Sequence, residues 1–109
     1  MKQITVTIVR IYLTEADKKL NAVLKRLHDW EKVKGVTVFR GISGFGKSGV
    51  MHSSSLLEMS LDLPVVVEFF DVPDKVESIL VHLEEMIDPG HMVSWQASLV
   101  VNKENGEEA

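Results

Sequence analysis

Apolar and polar residues alternate from Ile4 to Leu13 with the two-residue period of a strand. Ile4, Val6, Ile8 and Tyr12 share one face, and Thr5, Thr7, Val9, Ile11 and Leu13 the other. The period then lengthens. Leu20, Val23, Leu24, Leu27, Trp30 and Val33 keep helical spacing, with Lys18, Lys19, Lys25, Arg26 and Asp29 left for solvent. Thr14 and Asp17 offer caps ahead of this helix, and Gly35 offers a left-handed stop behind it. Val36 to Ile42 is β-branched and aromatic, a second strand. Glycines 41, 44, 46 and 49 then break the pattern, and residues 50 to 62 show no firm period. Pro64 introduces Val65 to Phe70, an apolar run that reads as a largely buried strand. Pro73 suits the first turn of a second helix, whose positive end Asp74 and Glu77 complement. Its stripe is Val76, Ile79, Leu80, Leu83, Met86 and Ile87, and Pro89-Gly90 ends it. His91 to Val101 is a last strand, with Val93, Trp95, Ala97, Leu99 and Val101 on one face. Residues 102–109 make a polar, acidic tail expected to be disordered.

The order β-α-β-loop-β-α-β is the split unit of an α+β, ferredoxin-like sandwich: a four-stranded antiparallel sheet with two helices on one face. The opposite face has no helix to cover it, yet Val9, Ile11, Leu13 and both faces of Val65 to Phe70 are apolar. Burying one such side chain is worth ~1.5–3 kcal/mol, so a further copy of the chain is expected to cover that face. A length of 109 residues fits one domain, expected over 1–101. A net charge of −4 excludes the basic footprint of a nucleic-acid binder. No apolar run approaches the roughly 18 residues of a membrane span, so no direct membrane insertion is expected. The alternating N-terminus is no signal peptide, and a cytoplasmic location is expected. With no cysteine there is no disulfide framework, thiolate metal site or catalytic thiol.

Candidate chemistry concentrates in the glycine-rich loop. Gly41 to Ser48 spells G-x-x-x-x-G-K-[ST], and Gly44 to Gly49 spells G-x-G-x-x-G. Both motifs need a helix directly after the loop, and Gly49 followed by His52-Ser53-Ser54-Ser55 makes a poor one. A nucleotide hydrolase using this loop is therefore a remote alternative. A loop with a lysine, hydroxyls and open backbone amides can still line an anion or nucleotide site.

Two stretches at this loop carry a resemblance. Arg40-Gly41-Ile42-x-Gly44-Phe45-Gly46 and Asp62-Leu63-Pro64-Val65-Val66-Val67 resemble the PII-like proteins of unknown function found in bacteria and archaea. More distantly, Gly44-Phe45-Gly46-Lys47 and Leu63-Pro64 resemble the start and end of the T-loop in PII signalling proteins. The resemblance covers about residues 4 to 101. It implies a homotrimer with its sheets packed inward and nucleotide sites in the clefts between subunits. It also implies that residues 44–63 are a mobile loop that reports ligand state to a partner, with a membrane transport protein as the class of target. On this resemblance the candidate nucleotide-binding residues are Arg40, Gly41, Gly44, Phe45, Gly46, Lys47, Ser48 and His91. Lys47 stands where PII usually has arginine, and Ser48 where it usually has glutamine. The second phosphate loop of PII is replaced by Asp88-Pro89-Gly90-His91, which has one glycine and no lysine. A smaller ligand such as AMP is thus easier to accommodate than a triphosphate. The modified tyrosine of some PII proteins is absent; Ser48, Ser53, Ser54, Ser55 and Ser60 are the hydroxyls a modification would have to use.

Elsewhere the residues read as packing or solvated surface. His28 and His82 lie on predicted helices, and His82 with Glu85 has an i, i+3 spacing, but neither makes a convincing metal site. His52 beside serines lacks an oriented third group for nucleophilic catalysis. Trp30 and Trp95 fall on apolar stripes and are expected to pack in the core or an interface. The sequence thus predicts a regulatory binding protein with no catalytic residues, metal or required cofactor, and AMP, ADP or ATP as candidate effector. A structural or ion-binding trimer without nucleotide is the alternative from another class.

Overall fold

The computed structural model describes residues 1–46, 49, 52–53 and 62–103, with 52–53 described by backbone alone. Lys47, Ser48, Ser54, Ser55, Ser60, most of the loop expected over 44–63, and the tail beyond Lys103 lie outside the described residues. The elements are β1 (Lys2–Thr14), α1 (Lys19–Lys25), a π-helical segment (Arg26–Glu31), β2 (Gly35–Arg40), the short β3 (Ser43–Gly44) and β4 (His52–Ser53), β5 (Pro64–Asp71), α2 (Pro73–Leu83) and β6 (Met92–Val101). The long strands form one antiparallel sheet in the order β2-β5-β1-β6. β1 and β2 therefore run parallel with β5 between them, which is the split crossover of the ferredoxin-like, PII-like fold. Among the described residues no helix is long and apolar enough to cross a membrane.

The core lies between the sheet and its two helices. Val9, Ile11 and Leu13 of β1 and Val65, Val67 and Phe69 of β5 pack against Val23, Leu27, Val76, Ile79 and Leu83. This corrects one expectation. Val9, Ile11 and Leu13 lie on the helix-covered face, and the uncovered apolar face is built from their alternates. Cross-strand register aligns Phe39, Val66 and Tyr12 in one row, and Phe70, Ile8 and Trp95 in another. Between them Arg10 pairs with Glu68 at 2.8 Å and lies over the rings of Phe39 and Trp95 at 5.9 and 5.4 Å. Tyr12, Phe39, Val93 and Trp95 are exposed here, as the expected uncovered face requires.

The first helix departs from its expected course. Asp17 does accept the Lys19 amide at 2.8 Å, but the α-helix widens to π at Arg26 and ends at Lys32, not at Gly35. Lys32 takes the left-handed conformation (φ 51°), and the Val33 amide returns to the Leu27 carbonyl at 3.3 Å. The wider turn takes later positions off the 3.6-residue stripe. Trp30 consequently leaves the core, is 70% exposed, and lies against the Arg26 guanidinium at 5.8 Å. The segment is held from α2. Glu31 accepts from Arg26 Nε at 2.7 Å and lies 2.9 Å from His82 Nδ1. Buried Asp71 accepts the Lys34 and Val72 amides at 3.2 and 2.8 Å and pairs with Lys75 at 2.9 Å. The same ammonium donates to the Lys32 carbonyl. Each donor to Asp71 offsets the cost of burying its charge.

Candidate functional site

Three stretches far apart in sequence meet at the end of the sheet where β1 and β2 finish and β5 begins. The Gly41 amide continues the β2–β5 ladder by donating to the Pro64 carbonyl at 2.7 Å. A Cβ on Gly41 would stand 2.8 Å from Pro64 Cγ and 3.2 Å from Pro64 O, and one on Gly44 would stand 3.3 Å from the same Cγ. Both glycines thus let the backbone close over the proline ring. This contact joins the two stretches that carry the sequence resemblance. The chain then forms a ladder that the sequence pattern did not reveal, with Ser43 opposite Ser53 and Gly44 opposite His52. A strand pair here is the opposite of the helix that both phosphate-loop motifs require after the glycines.

The turn after β1 fastens the other end of this segment. The Glu15 amide donates to the Leu63 carbonyl and the Ala16 amide to Asp62 Oδ1, both at 2.8 Å. Glu15 also forms an ion pair with Arg40 through its Oε1 and the guanidinium Nε. On the third side, the Tyr12 amide donates to the His91 carbonyl at 2.8 Å, and His91 Nδ1 donates to the Tyr12 carbonyl at 2.9 Å. A carbonyl only accepts, so Nδ1 carries the proton, and the tautomer with that single proton presents Nε2 as an acceptor.

These contacts enclose a cleft of about 1070 Å³. Arg40, Gly41, Gly44, Phe45, Gly46 and His91 all line it, so six of the predicted site residues come together; Lys47 and Ser48 lie outside the described residues. Tyr12, Thr14, Asp17, Ser43 and Pro64 line it as well and were not foreseen. The position of Thr14 and Asp17 beside the β1 end was the available signal, but their capping role concealed it. Tyr12 and Phe39 belong both to the cleft and to the uncovered sheet face, so the two surfaces are continuous. A second hollow, about 540 Å³, lies against Leu24, Leu27, Val33 and Val36 with Lys32 and Lys34 beside it. Among the described residues no group of His, Asp or Glu side chains is arranged to hold a metal ion.

The profile of the DUF190 family, described as "Uncharacterized ACR", matches residues 6–99. A UPF0166 protein of Methanocaldococcus jannaschii is 34% identical over 88 residues, covering 73% of this chain and 77% of the relative. A UPF0166 protein of Aquifex aeolicus is 32% identical over 73 residues, covering 67% and 74%. Among solved structures, CPII of Thiomonas intermedia, a nitrogen regulatory PII-like protein bound to ADP, AMP and bicarbonate, superposes with a TM-score of 0.62 at 21% identity. That superposition covers 90% of this chain and 89% of CPII. At this identity the likeness establishes the fold.

Proposed function

The chain belongs to the DUF190 family, and from that premise we propose that it is a PII-like regulatory protein that binds an adenine nucleotide in the cleft beside Arg40 and His91. The observation that carries the reading is convergence. Arg40, Gly41, residues 43–46 and His91, separated by nearly half the chain, line one cleft whose size suits a mononucleotide. The ADP and AMP bound to CPII support the ligand class. In this reading Arg40 and the backbone amides around Gly44 and Gly46 hold phosphate, with Lys47 adding charge and Ser48 a hydroxyl. Phe45 stacks on the base, and the Nε2 acceptor of His91 takes an exocyclic amine.

The functional object is a homotrimer formed through the uncovered sheet face, which borders the cleft, so each site lies beside a second subunit. Residues 1–101 act as one unit in the cytoplasm, and the 44–63 loop reports occupancy to a partner. The resemblance to PII supports a membrane transport protein as that partner. A ligand shifts such a loop only by binding its conformations unequally. The reading needs no catalytic group, since binding alone conveys the signal.

Calorimetric titration with AMP, ADP, ATP and cyclic AMP tests it. At least one should bind, and Arg40→Ala should weaken it. Hydrogen bonds to charged groups are worth about 1.5–3 kcal/mol, or roughly a ten- to hundredfold change in affinity. No heat from any nucleotide defeats the reading and leaves the structural or ion-binding trimer. Turnover of ATP lost in Lys47→Ala would instead favour the hydrolase.

A further inference from the structure

The arginine of the cleft is already occupied. Arg40 lines the cavity, yet its Nε is paired with Glu15, and the two side chains are 64% and 24% exposed. Glu15 does not stand on a passive turn. Its own amide holds the Leu63 carbonyl, and the next amide, that of Ala16, holds Asp62. One two-residue turn therefore grips Arg40, at the end of β2 just ahead of the 44–63 segment, and Asp62 and Leu63, at that segment's end. The Gly41–Pro64 bond joins the same two ends independently of Glu15.

We propose that Glu15 is a built-in competitor for Arg40: it holds the Nε edge of the guanidinium, and an anionic ligand that takes two parallel N–H bonds on that edge displaces Glu15 and loosens the turn that holds Asp62 and Leu63. The inference rests on the reading that the cleft binds a nucleotide. Its chemistry is an exchange of acceptors on one donor. A phosphate accepts two parallel N–H bonds from a guanidinium and carries more charge than a carboxylate, so it wins Arg40 when present. The existing pair is exposed, and such pairs are weak, so the exchange is reversible. Asp17 is the carboxylate that lines the cleft; it accepts the Lys19 amide, and the acidic partner of Arg40 is Glu15. Affinity for the ligand is thereby linked to the two ends of the loop, because a guanidinium turned toward phosphate no longer steadies the Glu15 turn.

The test compares wild type, Glu15→Gln, Arg40→Ala and the double variant by AMP calorimetry, with amide hydrogen exchange on the free and AMP-saturated proteins. Glu15→Gln keeps the side-chain shape while removing the competing charge. It should bind AMP about two- to fivefold more tightly, the range an exposed ion pair is worth. On the Arg40→Ala background the same substitution should change nothing. AMP should speed exchange at the Glu15 amide in wild type, Glu15→Gln should speed it without ligand, and the Gly41 amide should stay protected in both. Unchanged AMP affinity in Glu15→Gln overturns the exchange. So does tightening that persists in the double variant, since that is long-range charge removal only. AMP binding without dependence on Glu15 leaves the nucleotide reading standing. No AMP binding in any of the four proteins overturns the exchange, and the nucleotide reading falls with it only if ADP, ATP and cyclic AMP give no heat either.

Discussion

Gly41→Ala isolates the contact that builds the cleft. The added methyl would stand 2.8 Å from Pro64 Cγ and 3.2 Å from Pro64 O. The first atom belongs to a rigid ring and the second to backbone that accepts the Gly41 amide at 2.7 Å, so neither yields cheaply. Overpacking of this kind costs about 1–3 kcal/mol. Reduced freedom of the unfolded chain returns about 0.4–1 kcal/mol, which offsets the clash only in part. At about 4 °C per kcal/mol for a chain of this length, the upper end of the net cost lowers Tm by roughly 8–10 °C. Urea unfolding and thermal scans at one protomer concentration measure it, because assembly makes stability depend on concentration. Gly46→Ala is the control. Among the described residues, and apart from its chain neighbours, no heavy atom lies within 4 Å of its Cβ position, and its effect should stay within about 0.5 kcal/mol. Pro64→Ala in the Gly41→Ala background should restore stability in part, since it removes Cγ but leaves the carbonyl. A Gly41→Ala protein more stable than wild type, or a double variant with no recovery, would refute this account of the loop base.

Two further outcomes follow from the structure. Burial pushes the Glu31 carboxyl up, but hydrogen bonds and charge from Arg26 and His82 outweigh it and hold the group below its ordinary value of 4.5. The unfolded chain therefore binds the proton more readily, so the stabilisation is complete above that value and is lost as pH falls through the lower folded one. Glu31→Gln should flatten the acid limb of a stability–pH curve in urea unfolding; a curve as steep as wild type would count against the cluster. Trp95→Glu places a charge on the uncovered face beside Arg10 and Ile8. Light scattering should then report a single 12.2 kDa chain where wild type reports three; an unchanged assembly would mean that this face is not the interface.

The four long strands and α2 were legible because local pattern and tertiary environment agree there. Alternation in β1 and the Val76–Ile79–Leu83 stripe mark positions that the core does bury. Which face of β1 the helices cover was not legible, since both faces are apolar and periodicity separates faces without orienting them. The π-helical widening escaped for a related reason. Residues 20–33 satisfy an α period, and the side chains that hold the wider turn, Glu31 to Arg26 and His82, act partly through α2, 51 residues on. The loop base was legible as a motif, while its cause was hidden: Gly41 and Gly44 are needed because Pro64 packs on them from a different strand.

By itself the chain's order of residues determined the four long strands and α2, the split β-α-β-β-α-β topology and the exclusion of thiol chemistry, because these depend on short-range periodicity, turn residues and composition. Only the tertiary structure decided that Arg40, Gly41, residues 43–46 and His91 share a cleft, that the cleft is continuous with the open sheet face, and that Arg40 is held by Glu15. Those facts depend on strand register, which brings distant residues within a few ångströms through long-range hydrogen bonds that no local pattern encodes.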